Sequence, residues 1–170
     1  MALGVEKRGT GKACRGAVFT FALWAFLAGL AFAPQSRAAT TELVISDPLT
    51  GIALYGFDAV AYFVDGEARE GLAGFELKHA GLVWRFRNEG NRAAFAERPG
   101  DYMPRFGGYD PLGIARGVPA SGFPSLFVVH DNKLVLFMSE ENRKTFLASP
   151  NEALDAAEAA WPKVAQKLVP

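Results

Sequence analysis

The chain has 170 residues, half of them hydrophobic, and its 18 Lys and Arg balance its 18 Asp and Glu. That length supports one core of ordinary size, and a balanced charge with no basic stripe argues against a nucleic-acid partner. A single cysteine, Cys14, excludes an intrachain disulfide and a cysteine-cluster metal site.

Residues 1–38 read as a secretory signal peptide. Lys7, Arg8, Lys12 and Arg15 give a basic start, and 17 uncharged, mostly apolar residues run from Ala17 to Ala33. Ser36-Arg37-Ala38 then sets small residues at −3 and −1 of a cleavage point after Ala38. If retained, the same stretch would be an anchor at the lower length limit for spanning a bilayer. Without a twin arginine, the general secretory route is expected. Cleavage would remove Cys14, which is not at a lipobox position. It would also take five bases and one acid from the 18 of each, leaving 13 and 17 and a net charge of −4. The expected product is exported, periplasmic or extracellular, free of thiol chemistry and of the membrane.

Residues 39–54 form a lead-in, with a short strand expected at Leu43-Val44-Ile45 and a turn at Asp47-Pro48. In Tyr55 to Phe63, Asp58 is placed to cap a short helix, while Ala59, Val60, Tyr62 and Phe63 supply apolar surface. Asp65-Gly66 marks the next turn.

A large part of the remaining chain occurs twice. Gly81–Pro99 matches Asn132–Pro150 at an offset of 51 residues, and the windows 79–99 and 130–150 share seven identities: His79/His130, Phe86/Phe137, Glu89/Glu140, Asn91/Asn142, Arg92/Arg143, Phe95/Phe146 and Pro99/Pro150. Such a constant offset marks one supersecondary unit used twice. Each copy (75–101 and 126–152) reads as a β-hairpin and a helix. The strands, about 74–79 and 82–87 in the first copy, are rich in β-branched and aromatic residues around a His-Ala-Gly turn. Asn88 and Ser139 are expected N-caps, Glu89 and Glu140 suit the helix dipole, and the helices end at or before Pro99 and Pro150. Between the copies, Gly107-Gly108 and Asp110-Pro111 argue for close-packed irregular backbone. Asn151–Trp161 reads as an Ala-rich helix stopped by Pro162, with 163–170 as a tail. The fold class is therefore α+β: two hairpin–helix units sharing one core, closed by a C-terminal helix, within a domain of residues 55–162.

Gly56–Phe63, Glu89-Gly90-Asn91-Arg92 with Phe95, Gly107-Gly108-Tyr109 and Ala160-Trp161-Pro162, in that order, make the chain similar to the YHS-domain family, in its small exported single-domain branch, over about Leu54–Pro162. The family's metal-associated branch carries cysteines at positions that correspond here to Ala61, Arg87 and Asn91. The exported branch often has one at the position of Asp110, and the second copy carries Met138 and Asn142 at the corresponding places. The resemblance thus implies the fold and, with every thiol replaced, no thiolate metal site.

Among polar candidates, Asp58, Tyr109 and Asp110 either line one small cleft fit for a polar ligand or hard cation, or serve as a helix cap and an Asx turn. Arg92 and Arg143 are either an anion clamp or partners of Glu89 and Glu140 one helical turn earlier. His79 and His130, in equivalent turns, are exposed turn residues or weak metal ligands, alongside Asp58 and Asp110. Trp84 and Trp161 read as core aromatics. No nucleophile elbow, zinc-binding helix motif or phosphate loop occurs, so no enzyme and no cofactor are expected. The leading expectation is a non-catalytic exported binding domain for a small polar ligand or an envelope protein. A metal-handling protein with oxygen and nitrogen ligands, or an enzyme with an unrecognised site, are the alternatives.

Overall fold

A computed structural model describes residues 42–168. The expected signal peptide, its expected cleavage point and Cys14 lie outside the described residues.

The fold is α+β. A 3-10 turn at Leu54–Gly56 leads to helix α1 (Ala61–Val64), the hairpin β1 (Leu72–His79) and β2 (Leu82–Phe86), and helices α2 (Glu89–Glu97) and α3 (Pro99–Tyr102). A second 3-10 turn at Arg105–Gly108 leads to α4 (Pro111–Ala115), the hairpin β3 (Phe123–His130) and β4 (Lys133–Phe137), and helices α5 (Glu140–Ala148) and α6 (Pro150–Ala165). Each hairpin is a separate two-stranded antiparallel sheet. Both close through two left-handed residues, Ala80-Gly81 and Asp131-Asn132, as two-residue turns require. Both lose register at the same place, between Leu72 and Glu76 and between Phe123 and Phe127.

The helices start where side chains supply the missing acceptors. Asn88 Oδ1 accepts the Asn91 N–H at 2.8 Å, and Ser139 Oγ accepts that of Asn142 at 3.1 Å. Phe95 and Phe146 are then fully buried, against Phe86 (5.2 Å between centroids) and Phe137 (5.0 Å). Residues of both copies belong to one continuous apolar core. Tyr62 of α1 joins the halves, packing edge-on to Phe127 at 4.8 Å and donating to the carbonyl of Pro124 at 3.0 Å.

Two expectations require correction. The lead-in holds no strand at Leu43-Val44-Ile45, only isolated bridges from Ser46 to Ala53 and from Ile52 to Val83. It is nonetheless part of the core: Val44, Ile45, Ile52, Ala53 and Leu54 are buried, and the Ile45 N–H donates to the Gly107 carbonyl at 2.8 Å. Gly107 carries no side chain because a Cβ there would lie 1.7 Å from the Leu43 carbonyl oxygen. Pro162 does not stop the last helix, which runs to Ala165. An internal proline costs about 3 kcal/mol, but burying Val164 and Leu168 beyond it contributes about 1.5–3 kcal/mol each. Through Val164 and Leu168, residues 163–168 therefore anchor to the core. The repeat helices end at Glu97 and Ala148, before Pro99 and Pro150 as expected, and each proline then opens the next helix at N1, where no intrahelical bond needs the missing N–H.

Candidate functional site

Asp58 and Asp110 are fully buried, yet they do not share a cleft. Asp58 Oδ1 accepts the N–H groups of Val60 (2.8 Å) and Ala61 (3.3 Å); Oδ2 accepts the Arg87 N–H (2.8 Å) and Asn91 Nδ2 (2.7 Å). Asp110 repeats the pattern. Oδ1 takes Leu112 (2.8 Å) and Gly113 (3.4 Å), and Oδ2 takes the Met138 N–H (2.8 Å) and Asn142 Nδ2 (2.7 Å). Two oxygens offer about four acceptor sites, and all are filled from within the chain. Each carboxylate caps one helix and ties it to the junction between a strand and the next helix. Placing both residues around one ligand is therefore corrected: they are the same structural element, used once per copy.

The positions that correspond to cysteines under the family resemblance lie in these networks. Ala61, Arg87 and Asn91 surround Asp58, and Met138 and Asn142 surround Asp110. Each presents an N–H donor to a carboxylate, and a metal needs the opposite, a lone pair. These residues do not fit a metal ion. Among the described residues, no group of three or more His, Cys, Asp or Glu side chains comes together.

The other candidates resolve locally. Arg92 Nε donates to Glu89 Oε2 at 2.8 Å and Arg143 Nε to Glu140 Oε2 at 2.9 Å, one turn apart on their own helices. The hydrogen bond draws the Glu89 carboxyl below its ordinary range. His79 and His130 are half-buried rather than exposed, edge-on to Phe95 (5.6 Å) and Phe146 (5.8 Å). Trp84 is buried, and its Nε1 donates to the His79 carbonyl at 3.1 Å. Trp161 packs on Phe106 and Tyr109, and an Arg105–Glu158 pair ties α6 to the turn beneath it.

Of the three clustered candidates, Tyr109 borders a cavity. A cleft of about 270 Å³ lies along the lead-in, bounded by Glu42, Ser46, Asp47, Tyr55, Tyr109 and Ser121 with Val44 and Ile45. Tyr109 donates its hydroxyl to the Glu42 carbonyl at 2.7 Å. Burial, then the charge of Glu42, pushes the Tyr109 phenol up to about 12. Its raised value stabilises the fold fully below pH 10, the ordinary tyrosine value, and that contribution is lost as pH rises towards 12. A phenolate absorbance titration should show a late phenol with a midpoint near pH 12 that Tyr109→Phe removes; a midpoint near 10 would contradict this packing.

Tyr55 is the residue that sequence reasoning passed over. Its backbone is left-handed (φ 52°, ψ 27°) and the residue is 42% exposed. The second copy holds Gly107 at the matching step, at φ 63° and ψ 14°. The readable signal was Gly56-Phe57-Asp58 against Gly108-Tyr109-Asp110, offset by 52 rather than 51. A second, largely apolar groove of about 370 Å³ runs between α4 and the α5–α6 corner, past Leu112, Ala148 and Ala153. Among the described residues no helix is long and apolar enough to cross a membrane.

No family model matches the chain, and neither a curated protein nor a solved structure matches it.

Proposed function

We propose that the chain is a non-catalytic, exported binding domain of YHS-like fold that holds a small polar ligand in the cleft between Tyr55 and Tyr109. The observation that carries this reading is the conformation of Tyr55. A bulky residue at positive φ costs roughly 1–2 kcal/mol, and the second copy avoids that cost with glycine. Leu54 and Phe106, also left-handed, offset it by burial in the core. Tyr55 buries less than they do, and its strained backbone presents a ring to a cleft, as strained residues at binding sites do. The cleft's hydroxyls and carboxylates beside two rings match the usual composition of a ligand site, a few polar groups on an apolar wall. Residues 1–38 support export.

Tyr55→Gly separates binding from folding. Relief of strain offsets the added chain entropy, so stability should stay within about 1 kcal/mol of wild type by urea unfolding. Amide chemical-shift changes produced at Tyr109 and Ser121 by small molecules from a cell extract should vanish in the variant. Retained shifts would show that Tyr55 is not part of a site.

A further inference from the structure

Resting on the cleft as the binding site, we propose that its ligand is a small organic cation, a compact amine or quaternary ammonium group seated against Tyr55 and Tyr109 and faced by the carboxylates of Glu42 and Asp47. Charge sets the sign. Glu42 and Asp47 are the charged residues of the lining, which includes no Lys, Arg or His. An anion entering there would meet two like charges and no donor cation. Outside the cleft, the net charge of −4 after loss of residues 1–38 adds a field that draws cations.

Asp47 is held as a carboxylate by its own turn. Oδ1 accepts the N–H groups of Leu49 (2.9 Å) and Thr50 (2.8 Å) and the Thr50 hydroxyl (3.0 Å), whereas Oδ2 has no donor among the described residues. Those hydrogen bonds, the Thr50 N–H foremost, draw its carboxyl below the ordinary range, so it is ionised at neutral pH.

Two carboxylates alone would not make a site. The exposed Tyr55 ring supplies the second element, with the buried Tyr109 as apolar wall, since a cation over a tyrosine ring is attracted by its quadrupole, and that attraction is less screened inside a cleft than on a surface. Size and ligand count argue against a bare metal ion. A hard cation takes six to eight converging oxygens, and among the described residues no three or more His, Cys, Asp or Glu side chains come together here. The cleft's volume of about 270 Å³ sits at the small end of ligand pockets, suited to a head group rather than a drug-sized molecule.

Three probes of one shape and different charge test this: choline, its neutral carbon isostere 3,3-dimethylbutan-1-ol, and the anion 3,3-dimethylbutanoate. Each is titrated into the protein while the amide signals of Tyr55, Tyr109 and Ser121 are monitored. Choline should bind there about tenfold more tightly than the neutral isostere, with no binding of the anion and with affinity falling as salt is raised. Tyr55→Leu and Asp47→Asn should each weaken choline severalfold without changing the urea midpoint by more than a few tenths of a molar unit. Equal binding of the neutral probe, or preference for the anion, would overturn the cation while leaving the cleft as a site. No response to any of the three at these residues would overturn both.

Discussion

Replacing Asp58 or Asp110 by asparagine should cost the fold about 3 kcal/mol at each position. Asparagine keeps the shape but exchanges one oxygen for an NH2 group. At Oδ2 of Asp58 the two donors are the Arg87 backbone N–H and Asn91 Nδ2. The Asn91 amide can turn over and present its oxygen, but a backbone N–H cannot. One buried donor is left facing another, and the remaining hydrogen bonds lose the strength that a charged acceptor gives. The same count holds for Asp110 with Met138 and Asn142. Against a total stability of about 5–15 kcal/mol for a domain of this size, one substitution should lower the thermal midpoint by about 10 °C, and the double variant should fail to fold. Thermal unfolding monitored by circular dichroism reads this directly. A shift of a degree or two in either single variant would mean that the carboxylates are replaceable and that their burial serves something other than the fold.

Gly71→Ala and Gly122→Ala should be of similar severity, for a steric reason. A Cβ at Gly71 would lie 2.5 Å from the backbone carbon of Arg85 and 2.6 Å from its Cβ. At Gly122 it would lie 2.5 Å from Leu136 Cβ and 2.8 Å from the Gly108 carbonyl oxygen. Neither glycine is left-handed, so the requirement is close approach, not backbone freedom. Both N–H groups bind the left-handed turn of their own copy, Gly71 to the Gly56 carbonyl (2.8 Å) and Gly122 to that of Gly108 (3.0 Å). An added methyl must push the paired strand away or break that bond, a cost of about 3 kcal/mol. Gly74→Ala, on the same hairpin with nothing within 4 Å of its Cβ, is the control and should change stability by less than about 1 kcal/mol. Urea unfolding of the three variants decides it. Equal midpoints for Gly71→Ala and Gly74→Ala would show that the strands yield more readily than their geometry suggests.

The fold class was legible because the hairpin–helix units carry their own local signals. Asn88 and Ser139 cap, Phe95 and Phe146 turn inward, and the shared offset of 51 exposes the duplication. What stayed hidden was the front half of each unit. Asp58 lies 29 residues before Arg87, whereas Asp110 lies 28 before Met138, so the offset there is 52 and a fixed-offset comparison passes over it. Paired correctly, Gly56-Phe57-Asp58 and Gly108-Tyr109-Asp110 identify the aspartates as twins, and twins in a repeat are structural before they are functional.

The cleft was hidden for a different reason. It arises where the two copies differ: the lead-in covers Gly107 in one copy, while its counterpart in the other is Tyr55. No local pattern in Leu43–Ile45 announces a segment that enters the core through two isolated bridges and a few hydrogen bonds. The end of the chain misled through its strongest local signal, Pro162, because propensity is outweighed when Val164 and Leu168 are buried beyond it.

The division of labour between saturated aspartates and an open tyrosine cleft is tested most directly by one crystal structure. The protein would be purified without chelators, and the crystals taken to a resolution that shows ordered water. The expected result is a small molecule or ordered solvent occupying the cleft between Tyr55 and Tyr109, with Asp58 and Asp110 each bound only by their four donors. A metal ion on either aspartate, or a cleft closed by the chain's own side chains, would contradict it.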